Sequence, residues 1–273
     1  MIFFYLILIG RILEEADRIS ELVRHRHGTL TSSLRLGIIP TLSPYILPLI
    51  LERLHQKFPA LRLVLREDLT ANLLAALDGY ALDVLLIALP EYTEGYRAMP
   101  LFLEPFCFAC APGHPLSNQP VVTERELKRE CLLLLDEGHC LRDQALEVCG
   151  EKFSNGMGPS DDFRATSLET ISEMVAAGLG CTLLPVMAVP HLTARHKQLE
   201  VRPLIAAKAH RRIGLLWRTS FPQAEDLEEF GRLILGQLPD CVEVICTPCS
   251  PPTSRRSVSK PIERSKSDAE IAG

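Results

Sequence analysis

One stretch of the chain, DEGHCLRDQALEVC from Asp136 to Cys149, gathers the residues best suited to chemistry. It carries Cys140 and Cys149, nine positions apart, with His139 directly before the first cysteine and Arg142 and Asp143 just after it. A thiol becomes a nucleophile by ionising, and neighbouring cations favour the thiolate, so His139 and Arg142 make Cys140 the candidate reactive sulfur. Cys149 is then placed to resolve an oxidised Cys140. A plainer reading fits the same residues: free cysteine is among the most buried side chains, and both sulfurs would serve as inert core groups.

Spacing alone sets a mechanical condition on the redox reading. A disulfide needs its Cα atoms within roughly 7 Å, whereas residues nine apart on a helix are separated by about 13 Å along the axis. If 141–148 is helical in the reduced chain, that helix must melt or move before the two sulfurs meet.

The elements that must hold this loop alternate between short β-rich runs and helical stretches, which predicts an α/β fold with crossover helices and largely parallel sheets. Residues 34–39, 61–67 and 83–89 read as strands, with a helix over 70–82, and together they make one βαβαβ half. Thr41 or Ser43 is expected to cap the helix that follows the first strand, with Pro44 at its first position. A second half begins near Glu104, with strands at 132–135, 163–165 and 181–184 and a helix over 168–177. Residues 212–217 form a returning strand, followed by an amphipathic helix over 225–238. Thr41 and Thr70 both fall at carboxyl ends of strands, where open α/β sheets bind ligands.

Composition agrees with a soluble α/β protein of one large or two small domains: 273 residues, 47% hydrophobic, with 29 basic and 34 acidic side chains. That acidic balance gives no electrostatic footprint for nucleic acid. Nine cysteines without regular spacing favour a reducing, cytoplasmic setting over a secreted disulfide scaffold. The opening MIFFYLILIG is too short to span a membrane and lacks the flanks of a signal peptide. Ile12, Ala16, Ile19 and Val23 then recur at spacings of four, three and four, a seam for a partner helix that Gly28 would end. Beyond Asp240 the chain turns rich in Pro, Ser and charge, and 241–273 is expected to be disordered. The CxxC pairs Cys107–Cys110 and Cys246–Cys249 do not converge, one lying on a strand and the other in that tail, so no metal site is expected.

Four blocks in order also carry a resemblance. GHCLRDQALEVC, LRLGIIPTLSPYILP (34–48), FRATSLETISEMVAAGLGCTLLP (163–185) and RRIGLLWR (211–218) are similar to the peroxide-sensing branch of the LysR-type transcription regulators. The resemblance spans roughly residues 11–238. It implies two periplasmic-binding-protein-like, Rossmann-like subdomains joined by two crossover strands. Subdomain I is then about 34–103 plus 209–240 and subdomain II about 104–208, with residues 1–30 ending a linker and dimerisation helix.

The resemblance also implies a function. Hydrogen peroxide oxidises Cys140, a disulfide forms with Cys149, and the remodelled domain controls transcription as a homodimer or tetramer, to be reset by a glutaredoxin- or glutathione-like thiol. Thr41 and Thr70 match residues that hold peroxide. His139, Arg142 and Asp143 match the redox loop, and Arg218 an arginine tied to the redox site. Asp162 stands where the family often has His. Only ten residues precede the linker helix, so DNA would be read only through a winged helix-turn-helix headpiece that this chain is expected to lack. The expected molecule is a regulator without cofactor or membrane contact, not an enzyme. An inter-subdomain cleft that takes a small organic effector, with incidental cysteines, is the alternative.

Overall fold

A computed structural model describes residues 33–91, 94–130, 132–149 and 165–245. The linker seam over 11–27, Cys131, Asp162 and residues 246–273 lie outside them, as do 163 and 164 of the strand expected over 163–165. The first half follows the alternation read from sequence: β1 (Ser33–Ile38), α1 (Ser43–Lys57), β2 (Arg62–Glu67), α2 (Thr70–Asp78) and β3 (Val84–Ala88). β1 pairs in parallel with both β2 and β3, and all five residues of β3 are buried. Apolar runs of this kind suit a strand covered on both faces.

Two departures in this half have local causes. β2 reads from sequence as half-buried, yet Val64 and Leu65 are about two-fifths exposed because β2 is the edge strand. The helix expected over 70–82 stops at Asp78, where Gly79 caps it and Tyr80 takes a positive φ of 62°. Asp83 then receives a bidentate pair from Arg35 at 2.7 and 3.0 Å and fixes the turn into β3.

β4 (Tyr96–Cys110) runs through both halves in one 15-residue strand. Over Tyr96–Pro105 it pairs antiparallel with β8 (His210–Arg218), with a register shift between Pro100 and Phe102. Farther on, from Phe106 to Cys110, it pairs with β6 (Thr182–Pro185) and β7 (Glu200–Ile205). The second half also contains β5 (Val122–Thr123), α3 (Glu124–Leu127), α4 (Cys140–Cys149), α5 (Leu168–Ala176) and α6 (Val189–Arg195). β8 then returns to the first half against β3, and α7 (Ala224–Leu235) closes it with Leu227, Phe230, Leu233 and Ile234 buried.

The strand expected over 132–135 is reduced to two isolated bridges, Leu132 to Cys181 and Leu135 to Ala165. The tail expected to be disordered from 241 instead begins with β9 (Glu243–Val244), which pairs with Phe102 and Leu103 of β4. Cys241-Val242-Glu243-Val244-Ile245 lacks the Pro and Ser that follow it, and Val242 is buried, so this short apolar segment has a sheet edge to join. Among the described residues no helix is long and apolar enough to cross a membrane.

Candidate functional site

Thr41 lies past the end of β1 and Thr70 past the end of β2, at the carboxyl edge where open sheets receive ligands. Neither acts as the helix cap that its position suggests. α1 is preceded by Leu42 with no side-chain cap, and the Thr41 hydroxyl instead accepts a 2.7 Å hydrogen bond from Arg211 Nη1. The start of α2 is organised by Asp68, whose Oδ1 accepts from the Leu69 N–H at 2.8 Å and from the Asn72 amide at 2.7 Å. Thr70 Oγ1 is left buried, without a well-formed hydrogen bond, against the Cys140 sulfur.

Cys140 opens α4, so its sulfur sits at a helix N-terminus, where backbone N–H groups favour an anion. Gly138 makes the entry possible. It adopts φ of 93°, and an added Cβ would come within 2.9 Å of Leu69 Cδ1, so the loop packs flat against the residue that leads into Thr70.

Burial pushes the Cys140 thiol above its usual range. Arg211, Thr70 and the Leu141 N–H pull it back, while Asp143 adds to the rise. The cation that acts most strongly on the sulfur is therefore Arg211, which sequence reasoning did not single out. Its guanidinium is buried, with Nε 2.8 Å from Glu104 Oε2, Nη1 on the Thr41 hydroxyl and Nη2 3.0 Å from the Thr41 carbonyl. Glu104 is also buried, and its second oxygen accepts from the Met187 N–H at 3.1 Å. Of the two, Glu104 had a sequence signal. Glu104 is a lone carboxylate in the apolar run LFLEPFCFAC, and a buried charge in such a strand requires a partner.

The other predicted residues separate. His139 is buried and held below its usual pKa by desolvation, with Asp136 opposing, so it does not supply the expected positive charge. Arg142 braces the loop by donating to the Leu135 carbonyl at 3.1 Å. Arg218 lies at the opposite end of β8 from Arg211, donates to the carbonyls of Leu77 and Leu82, and stacks 4.4 Å from the Tyr80 ring centre. It does not join the site. Seven residues of strand, about 23 Å, separate it from Arg211.

Cys149 ends α4 in apolar packing, 1% exposed, and burial pushes its thiol up to about 11. Neither cysteine is in a disulfide. They sit at the two ends of one continuous helix, roughly 13 Å apart along its axis. Across the cleft, Tyr45 of α1 donates to Glu169 of α5 at 3.2 Å and meets His191 of α6 edge-on at 5.8 Å. Residues of both halves thus meet at Tyr45, on which Arg211 and Glu104 also act electrostatically.

Two α/β halves joined through β4 and the return into β8, with the Cys140 thiol and the Arg211–Glu104 pair at their junction, define a periplasmic-binding-protein-like regulatory domain. The chain belongs to the LysR substrate-binding-domain family, whose model matches residues 27–239. Among curated relatives, the DNA-binding transcriptional dual regulator OxyR of Escherichia coli K12 is 40% identical over 227 residues, covering 83% of this chain and 73% of its own. A probable hydrogen peroxide-inducible genes activator of Mycobacterium avium is 41% identical and covers 83% and 72%. Among solved structures, a peroxide-bound cysteine-to-serine OxyR variant of Corynebacterium glutamicum has a TM-score of 0.71 at 36% identity, covering 83% of this chain and 71% of that one. A reduced OxyR from Neisseria meningitidis also scores 0.71, at 31% identity, over 78% and 99%.

Proposed function

We propose that this chain is the hydrogen-peroxide-sensing regulatory domain of an OxyR-like transcription regulator, with Cys140 as the peroxide-reactive sulfur and Cys149 as its resolving partner. One observation carries the reading: Cys140 begins, and Cys149 ends, a single helix whose first residue faces Thr70 and the Arg211 guanidinium. The Cys140 thiolate attacks one peroxide oxygen, the O–O bond breaks, and hydroxide leaves and is protonated to water, giving a sulfenic acid. Arg211 stabilises the thiolate, and Thr41 and Thr70 bind the peroxide oxygens. The Cys149 thiolate then attacks the sulfenic sulfur. The S–S bond forms as the S–O bond breaks, and the hydroxide that leaves takes up a proton and departs as a second water.

Closing that bond requires α4 to unwind, because the two Cα atoms must come from about 13 Å to within roughly 7 Å. The redox state is thereby written into the shape of the domain. In a homodimer or tetramer that change passes to a DNA-reading headpiece, and a glutathione- or glutaredoxin-type dithiol exchange restores both thiols. Brief stoichiometric peroxide followed by alkylation and peptide mass spectrometry tests the scheme. A Cys140–Cys149 disulfide is expected, and Cys149→Ser should stop at Cys140 sulfenic acid. Continued alkylation of Cys140 after peroxide would sink the reading.

A further inference from the structure

A second constellation lies at the far end of the subdomain II sheet, outside the peroxide pocket. His114, in the loop after β4, Glu130, in the segment after α3, and Cys181, just before β6, bring their donor atoms within 4.8 Å of one another. His114 Nε2 and Glu130 Oε2 are 3.2 Å apart. Two N and O ligands about 2.1 Å from a tetrahedral ion sit about 3.4 Å apart, so this contact is already near ligand spacing. Strand register brings a further cysteine close to this group. β4 and β6 pair antiparallel through Ala109 and Thr182, and the next step along sets Cys110 across from Cys181. Residues directly opposite on antiparallel strands point to the same face, with Cβ atoms about 5 Å apart. Glu130 also acts electrostatically on the Cys110 thiol.

We propose that His114, Glu130 and Cys181 form a binding site for a thiophilic divalent cation of the zinc type, with Cys110 placed to complete its tetrahedron. Imidazole, carboxylate and thiolate are the donor types such an ion takes. Loading deprotonates Cys181, and Cys110 where it binds, with the protons passing to solvent as the metal–sulfur bonds form. Leu116 N–H donates to His114 Nδ1 at 3.2 Å, so coordination through Nε2, which moves the ring proton to Nδ1, sacrifices that one long hydrogen bond.

The ion would staple three separate stretches. Cys181 is bridged to Leu132, and its carbonyl accepts from the Leu133 N–H at 2.8 Å, in the segment that leads to α4. The site stands independently of the redox reading, since it shares no residue with Cys140 or Cys149.

The test is a Co2+ titration, without added thiol, of the chain carrying Cys140→Ser and Cys149→Ser, so that only other sulfurs respond. One equivalent should give thiolate-to-cobalt charge-transfer absorption and tetrahedral ligand-field bands that Zn2+ abolishes. His114→Ala and Cys181→Ala should each weaken binding at least tenfold, whereas Cys246→Ser with Cys249→Ser should leave it unchanged. His114 and Glu130 are partly exposed, so His114→Ala and Glu130→Gln keep the result readable if the buried Cys181→Ala does not fold. Absence of thiolate–cobalt absorption, or its survival in His114→Ala, overturns the site.

Discussion

The two arginines of β8 begin from the same strand and do different work. Arg211 enters a buried pocket, where Glu104, Thr41 and the Cys140 sulfur surround it. Arg218 is also buried but spends its guanidinium on the Leu77 and Leu82 carbonyls and the Tyr80 ring, holding the turn after α2. Strand side chains alternate, so residues seven apart point to opposite faces of the sheet. A buried arginine thus becomes the partner of a buried carboxylate or the bolt of a turn according to the parity of its position and the strand end at which it lies.

The sharpest way to break that contrast is to remove each guanidinium in turn. Arg211→Met should slow peroxide oxidation of Cys140 by about 100-fold, the scale of losing one preorganised charge at a reacting centre. It also strands Glu104, a loss of about 3–5 kcal/mol in denaturant unfolding. Arg218→Met should cost about 1–3 kcal/mol through its unpaired carbonyls, while stopped-flow oxidation rates stay within about twofold because the site is distant. Equal slowing in both variants would erase the distinction.

A smaller effect sharpens the Arg211 side. Thr41→Val leaves one guanidinium N–H without its acceptor and should destabilise by about 1–3 kcal/mol, and Thr41→Ser should restore both stability and rate. If valine is tolerated as well as serine, the Thr41 hydroxyl does not position Arg211.

The pH responses rest on two pKa shifts of opposite direction. Burial outweighs Arg211 at Cys140, so its pKa lies above the ordinary 9.0, and the oxidation rate should climb about tenfold per unit across pH 6–8 as the thiolate fraction grows. Arg211→Met should push that rise to higher pH. His139 is depressed below its ordinary 6.5 in the folded chain, so its contribution is complete above pH 6.5 and is lost as pH falls through the folded value. A His139→Gln chain should show a flatter stability profile between pH 4 and 6.5.

The architecture was legible because hydrophobic period reports burial. The βαβαβ half, the returning strand and α5 all fall within a few residues of their expected places. The helical state of α4 was open in the sequence, and the structure makes it continuous from Cys140 to Cys149. The cation was not legible. RR at 211–212 and R at 218 look alike along a strand, and only pairing with β4, which sets His210 against Pro105 and Arg218 against Tyr96, tells which end meets Glu104. Proximity in sequence was also misleading. His139 and Arg142 flank the sulfur but are spent on desolvation and on a carbonyl, while Arg211 arrives from 71 positions away.

β4 has a mechanical consequence. One strand is gripped by β8 along its first part and by β6 and β7 along its last, with Glu104 between the two grips. A rotation of one half against the other would load this strand between the two grips. Glu104 sits there and holds Arg211 by its carboxylate. A hinge at this point would carry Glu104, and with it the guanidinium that acts on the Cys140 thiol.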